Sequence, residues 1–162
     1  MAIRRRLVLG MALGWSAAHA QSGDALRQQQ ERLQEFVNRS RAQELLARVE
    51  AVKAASRFAA VLRLSGLAPQ LQELPELTVF VPVDEAWGPV PQPATAEAAQ
   101  AFVRRHALAR LWGSRDEPGA SLATLGATAL DTTADTVGGV SYELQGLRIR
   151  NGVIHLMGGI LP

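Results

Sequence analysis

The sequence predicts an α+β domain with a mainly β core, and three observations carry that expectation. Residues 22–65 contain no proline and repeat apolar side chains at helical spacing. Leu77–Val81 is a mostly apolar run closed by Pro82, which cannot donate to a central ladder and so ends a buried strand. From about Ala120 the period falls to two and leads into an Asn-Gly pair at 151–152, the strongest hairpin signal in the chain.

The helical half divides by composition. Residues 21–41 are polar, with Gln28–Arg32 almost uninterrupted, and Leu26, Leu33, Phe36 and Val37 form only a thin apolar stripe. Their spacing is too irregular for sustained heptads, so an exposed or loosely docked helical arm is expected there. From Gln43 the stripe thickens through Leu45, Leu46, Val49, Val52, Phe58, Val61, Leu62 and Leu64. A domain over 42–162 therefore begins with its own helices, stopped at Gly66, where a left-handed residue commonly ends a helix.

Past the strand, Asp84 and Glu85 are adjacent carboxylates. Asp84 stands where a helix N-cap belongs, and Glu85 falls in the first turn, where negative charge meets the helix dipole favourably. No partner residue at a suitable spacing accompanies them, so they are expected to start a short helix rather than perform acid–base chemistry. Thr95 is placed to cap a further helix running to His106. With Asn151 and Gly152 as the two turn residues, Ile149 should face Ile154 and Leu147 should face Leu156 on one side of the closing hairpin. Arg148 then faces His155 on the other.

Bulk composition narrows the function. At 162 residues, 48% hydrophobic and 20% charged, the chain fits one domain with a normal core and a small appendage. The absence of cysteine removes disulfides, thiolate catalysis and sulfur-ligated metals. Residues 1–20 read as a signal peptide: Arg4–Arg6 are basic, Leu7–Ala18 are apolar, and Ala18-His19-Ala20 offers small residues for cleavage before Gln21. Three of the 17 basic residues lie in this leader, and the remainder carries one more acid than base, so nucleic acid is not an expected partner. Arginine supplies nearly every basic side chain, which fits a GC-rich bacterial genome. A secreted chain, periplasmic or extracellular, with no stable membrane insertion once the leader is removed, is the resulting expectation.

Four stretches also resemble one family. TVFVPVDEAW (Thr78–Trp87) is similar to the TVFAPTDEAF box of fasciclin-like domains, and NGVIHLMGGILP (Asn151–Pro162) to their closing NGVIHVIDGVLLP box. Between them FVRRHALAR (Phe102–Arg110) resembles the family's helix-to-strand passage with its Tyr-His pair, and ASRFAAVLRLSGLAPQL (Ala55–Leu71) its amphipathic helix with a terminal Gly-Leu. The resemblance covers most of 42–162. It implies a fasciclin-like wedge of two small β-sheets, with helices packed around the N-terminal half. It also implies cell adhesion or protein–protein interaction, without catalysis or a shared cofactor. Val83, Arg105 and Gly158 depart from the family's pattern, Arg105 taking the place of the pair's tyrosine, and the passage from Val140 to Asn151 is shorter than usual.

The candidate partner-binding residues are Arg104, Arg105 and His106, facing a protein or a cell-envelope polymer. The alternative is a carrier of a small apolar ligand or polymer, which an apolar pocket with a few inward polar groups would favour. An enzyme reading would need a Ser or Asp within hydrogen-bond reach of His106 or His155. Neither a catalytic residue nor a cofactor is expected, nor a metal ion, since two isolated histidines show no ligand spacing.

Overall fold

The computed structural model describes residues 15–113 and 118–162, without the side chains of 15–24 and 36–43. Two compact units divide the chain, one ending at Val37 and the other spanning Asn38–Pro162. In the first unit the chain is helical from Trp15, within α1 (Trp15–Glu50), and all side chains over 25–35 are exposed, Leu26 and Leu33 included. Residues 1–14, most of the expected leader, lie outside the described residues.

In the second unit the last turns of α1 bury Leu45 and Val49. The helix does not continue to Ser65 as the unbroken periodicity predicts. It stops at Glu50, and Val52 adopts an extended conformation before a 3-10 turn at Lys53–Ala55 and a new helix, α2 (Ser56–Ser65). The cause lies 28 residues downstream. One carboxylate oxygen of Asp84 accepts from the Ser56 hydroxyl at 2.7 Å and the Ser56 N–H at 3.2 Å, and the other accepts from the Arg57 N–H at 2.8 Å. Asp84 therefore caps α2, not the 3-10 turn Asp84–Trp87 in which it sits, whose own start has no side-chain cap. Burial pushes the Asp84 carboxyl upward, but the Ser56 hydroxyl, the two backbone N–H groups and the Arg57 charge together hold it below its ordinary value.

Gly66 ends α2 in the left-handed conformation at φ 65°, as its position predicts. A short α3 (Ala68–Glu73), with Pro in its first turn, leads to β1 (Leu77–Pro82). Thr95 caps α4 (Ala96–Arg105), its hydroxyl accepting from the Ala98 N–H at 3.2 Å. The remaining strands are β2 (Ala107–Leu108), β3 (Ser121–Ala123), β4 (Ala129–Asp131), β5 (Thr136–Val137), β6 (Val140–Ile149) and β7 (Gly152–Met157). Five of them form one sheet in the order β2-β1-β7-β6-β5, and β3 and β4 form a second. β1 and β7 pair in parallel over their full length, from Leu77 opposite Gly152 to Pro82 opposite Met157. The other pairings are antiparallel.

Both faces of β1 and β7 are buried, which explains why these strands read as nearly continuous apolar runs. Leu77, Val79, Val81, Ile154 and Leu156 pack with the helices, around Phe58, Leu62, Trp87 and Phe102. Phe80 and Met157, on the opposite face, pack with Leu108, Trp112, Leu122, Leu130 and Val137 beneath the small sheet.

The closing hairpin differs from its predicted register. Ile149 lies opposite Gly152 and Leu147 opposite Ile154, so Arg150 and Asn151 are the turn residues. Neither has positive φ, and no type I′ turn forms. The shift of the turn moves each pairing by two residues along β7, so Leu147, Ile149, Ile154 and Leu156 still share the helix-facing side. Arg148 lies opposite Val153 instead of His155. Asn151 and Gly152 serve other purposes. The Asn151 amide donates to the Leu71 and Leu74 carbonyls at 3.0 Å each and accepts from Gln72 at 3.1 Å, while its backbone carbonyl accepts from the Leu77 N–H. Gly152 lets β7 approach the start of β1, because a Cβ there would lie 1.8 Å from the Leu77 carbonyl oxygen.

Two substitutions test this arrangement. Gly152→Ala forces backbone against backbone and should cost about 3 kcal/mol or more in chemical denaturation, at the upper end of overpacking effects. A Gly-to-Ala change tolerated within half that cost would show that β1 and β7 do not approach as described. Asp84→Ala should lose about 1–2 kcal/mol, with protection of the Ser56 and Arg57 amides against hydrogen exchange falling before that of β1. Loss of protection confined to residues 85–88 would instead place the cap on the turn that contains Asp84.

Candidate functional site

The three candidate partner-binding residues separate in the structure. Arg104 is exposed on the last turn of α4, Arg105 is half-buried, and His106 is fully buried. The turn between β3 and β4 packs on this end of the helix. Gly126 donates its N–H to the Arg104 carbonyl at 3.0 Å, and Leu125 donates to the Ala107 carbonyl at the start of β2 at 2.8 Å. A Cβ at 126 would lie 3.2 Å from the Arg105 backbone N, a tight contact that glycine avoids. Its neighbour Ala127 has φ 59°, the only positive φ at a non-glycine residue among those described. Arg104 and Arg105 thereby border a surface pocket of about 490 Å³ shared with this turn.

His106 faces inward. Its Nδ1 lies 2.9 Å from the Phe102 carbonyl, and its Nε2 lies 3.2 Å from the Leu161 N–H. A carbonyl only accepts and a backbone N–H only donates, so the ring is neutral with its proton on Nδ1. Arg57, Trp87, Phe102 and His106 form a stack. The guanidinium lies 4.9 Å from the Trp87 centroid, and successive rings are 5.0 and 4.3 Å apart, each pair tilted by 18°. Burial pushes the His106 pKa down to about 4, with the Phe102 carbonyl opposing the shift and the Arg105 charge adding to it.

His155 is the same device with the opposite tautomer. Its Nε2 donates to the Trp112 carbonyl at 2.8 Å, and its Nδ1 accepts from the Gly146 N–H at 3.3 Å. Burial lowers its pKa, and the bond to Trp112 partly opposes this. The ring stacks on Phe80 at 5.8 Å and meets the edge of Tyr142 at 5.4 Å. Every ring nitrogen of both histidines is committed to backbone, and no Ser or Asp is among their hydrogen-bond partners.

A feature that sequence reasoning missed lies beside His155. A surface groove of about 920 Å³ beside β6 is lined by Leu111, Leu144, Val153 and His155 among others. The sequence carries little sign of it, because Leu111 belongs to the segment after β2, which lies against the sheet only through tertiary bonds. The Thr78 hydroxyl donates to the Arg110 carbonyl at 2.7 Å and accepts from the Trp112 N–H at 2.9 Å.

Comparison with known proteins follows the fold. The family model described as "Fasciclin domain" matches residues 53–161. Among solved structures, a FAS1 domain pair from the insect cell adhesion molecule Fasciclin I matches with a TM-score of 0.53 at 14% identity. That match covers 67% of this chain and 45% of the other, a likeness of fold. Among curated proteins, none matches the chain.

The neutral histidines set a pH dependence. In the unfolded chain a histidine takes up a proton near 6.5, whereas folded His106 does so only near 4. Protonation between these values favours the unfolded state, so this contribution is complete above about pH 7 and lost as pH falls toward 4. For His106 the loss should be on the order of 3 kcal/mol. Urea denaturation at pH 7.5 and 4.5 measures it, with His106→Gln removing part of the difference. Equal stability at the two values would mean that the rings are not held neutral.

Proposed function

We propose that this chain, which belongs to the fasciclin domain family, is a non-enzymatic module for adhesion or protein interaction in a bacterial cell envelope. Fasciclin domains are in general adhesion-type interaction modules. The observation that carries the reading here is the division of labour at the end of α4. Buried, neutral His106 ties the helix end to the chain's last residues, while Arg104 and Arg105 remain at the surface beside a glycine-tightened turn. Such a surface suits an acidic group on a protein or envelope polymer.

The interior supports an interaction module over a carrier. The space between the main sheet and the helices is occupied by a continuous cluster of side chains from Leu45 to Leu156, and the larger cavity is an open surface groove. Among the described residues, no helix is long and apolar enough to cross a membrane. Export by way of the leader, with cleavage before Gln21, places the module in the periplasm or outside the cell.

Affinity capture from the envelope fraction tests this, with the 21–162 protein as bait. Arg104→Glu combined with Arg105→Gln should abolish capture of proteins or polymer seen with the unmodified bait. Stability should change by no more than about 1 kcal/mol, since neither side chain is buried in the core. Undiminished capture by the double variant, at unchanged melting, would remove the α4 surface from the reading.

A further inference from the structure

We propose that the pocket at the end of α4 binds an acidic segment of a partner polypeptide, taking its side-chain carboxylates on the guanidinium forks of Arg104 and Arg105. This rests on the α4 reading and deepens it, by naming the chemical group the surface recognises.

The first reason is a pair of uncommitted forks. Arg104 and Arg105 are successive residues in the last turn of α4, and both line the pocket with Ala101 and the turn 125–128. Neither makes an ion pair with a described residue, and Arg63 with Glu50 is the only such pair among those residues. Arg105 is half-buried, with its guanidinium carbon 6.0 Å from the Phe102 ring centroid, so packing restrains it without a carboxylate partner. A side chain already restrained loses less freedom when a ligand arrives.

The second reason is what the turn withholds. All four of its backbone N–H groups are spent within the fold. Leu125 donates to Ala107 and Gly126 to Arg104, while Ala127 donates to the Thr124 carbonyl at 3.0 Å and Thr128 to the Thr124 hydroxyl at 3.1 Å. Phosphate sites commonly add backbone N–H groups to side-chain charge, and this turn has none to add. Ala101, Leu125 and Ala127 make much of the remaining lining apolar, which suits a sugar's many hydroxyls poorly. A carboxylate on a short methylene stem fits both features. It takes paired N–H groups from a planar guanidinium, and its stem can lie on an apolar wall.

The third reason is a wall held in place before binding. Ala127 has φ 59°, a left-handed conformation that its Cβ disfavours. Such strain persists where surrounding bonds over-determine the backbone. Here buried Thr124 holds the turn through three bonds to 127 and 128, and Gly126 fastens it to the helix end. One effect opposes an anion, because a helix C-terminus carries roughly half a negative charge. Two full positive charges outweigh it, and the Arg104 carbonyl already accepts the Gly126 N–H.

Fluorescence anisotropy of the 21–162 protein with blocked, labelled peptides tests the assignment. The peptides are Gly-Asp-Ser-Asp-Gly, its counterpart with both Asp replaced by Asn, and its counterpart with both replaced by phosphoserine. The Asp peptide should bind saturably, and the Asn peptide about tenfold more weakly or worse. Arg104→Lys combined with Arg105→Lys keeps both charges and removes the forks, and should weaken the Asp peptide about fivefold at unchanged melting. Arg104→Gln alone, a change at an exposed position, should weaken it as well. No saturable binding of the Asp peptide at millimolar concentration would overturn the proposal, as would equal affinity for the Asn peptide. Tighter binding of the phosphoserine peptide, or of inorganic polyphosphate, would overturn the choice of a carboxylate. An affinity that the double lysine variant leaves unaltered would overturn recognition by the forks. Envelope capture that needs the two arginines, with the Asp peptide failing to bind, would sink the carboxylate assignment and leave the α4 surface standing. Peptide binding that needs the arginines, with capture indifferent to them, would uphold carboxylate recognition and sink the α4 reading.

Discussion

The parallel pairing of β1 with β7 is the constraint on which the rest of the second unit depends. It joins residues 75 positions apart in sequence, from Leu77 with Gly152 to Pro82 with Met157, and it places a strand from each end of the domain at the centre of the sheet. A contact of that span gains nothing from local propensity, and the loop it closes must be ordered before it forms. It needs a feature that accepts only one register. Gly152 supplies one, because the close approach to the Leu77 carbonyl excludes a side chain at that position and no other residue of β7 is glycine. Asn151 adds a second, gathering the end of α3 and the start of β1 around one amide.

Much of this was legible in the sequence, though often for the wrong local reason. Leu77–Val81, the Thr95 cap and the Gly66 stop are found where short-range chemistry puts them, since each depends on residues within a turn of itself. Asp84 and Asn151-Gly152 were recognisable as special, but short-range rules assign each the nearest available task. Asp84 instead caps a helix that begins 28 positions earlier, and Asn151-Gly152 serves a strand and a helix that are remote in sequence. The break between Glu50 and Ser56 was illegible for the same reason, because apolar periodicity continues through it and only the distant carboxylate marks the new start. The buried face of the hairpin survived the error in its turn because the displacement is an even number of residues.

The two histidines show how a polar residue can serve a core. Each has one ring nitrogen that donates and one that accepts, so a neutral imidazole can satisfy one backbone carbonyl and one backbone N–H that secondary structure leaves open. His106 joins α4 to Leu161, and His155 joins β6 to the segment at Trp112. The cost is that the ring must stay neutral, which makes stability depend on pH in the range where histidine alone titrates. Among the candidate site residues, His106 was identified by its position in a motif; its buried, structural placement separates it from the two arginines beside it.

The same logic explains why membership of the family leaves the partner open. Asp84, His106, Asn151 and His155 lie in the stretches that carry the resemblance, and the hydrogen bonds of all four side chains run to backbone or to other side chains within the fold. These stretches therefore specify how β1, β7 and their helices are assembled. The surface proposed for a partner draws on different side chains, those of Arg104 and Arg105 at the end of α4. Both lie inside a motif, but Arg105 is itself a departure from the family's pattern. Substitution there need not disturb the central strand pair, so a common framework can carry different partners.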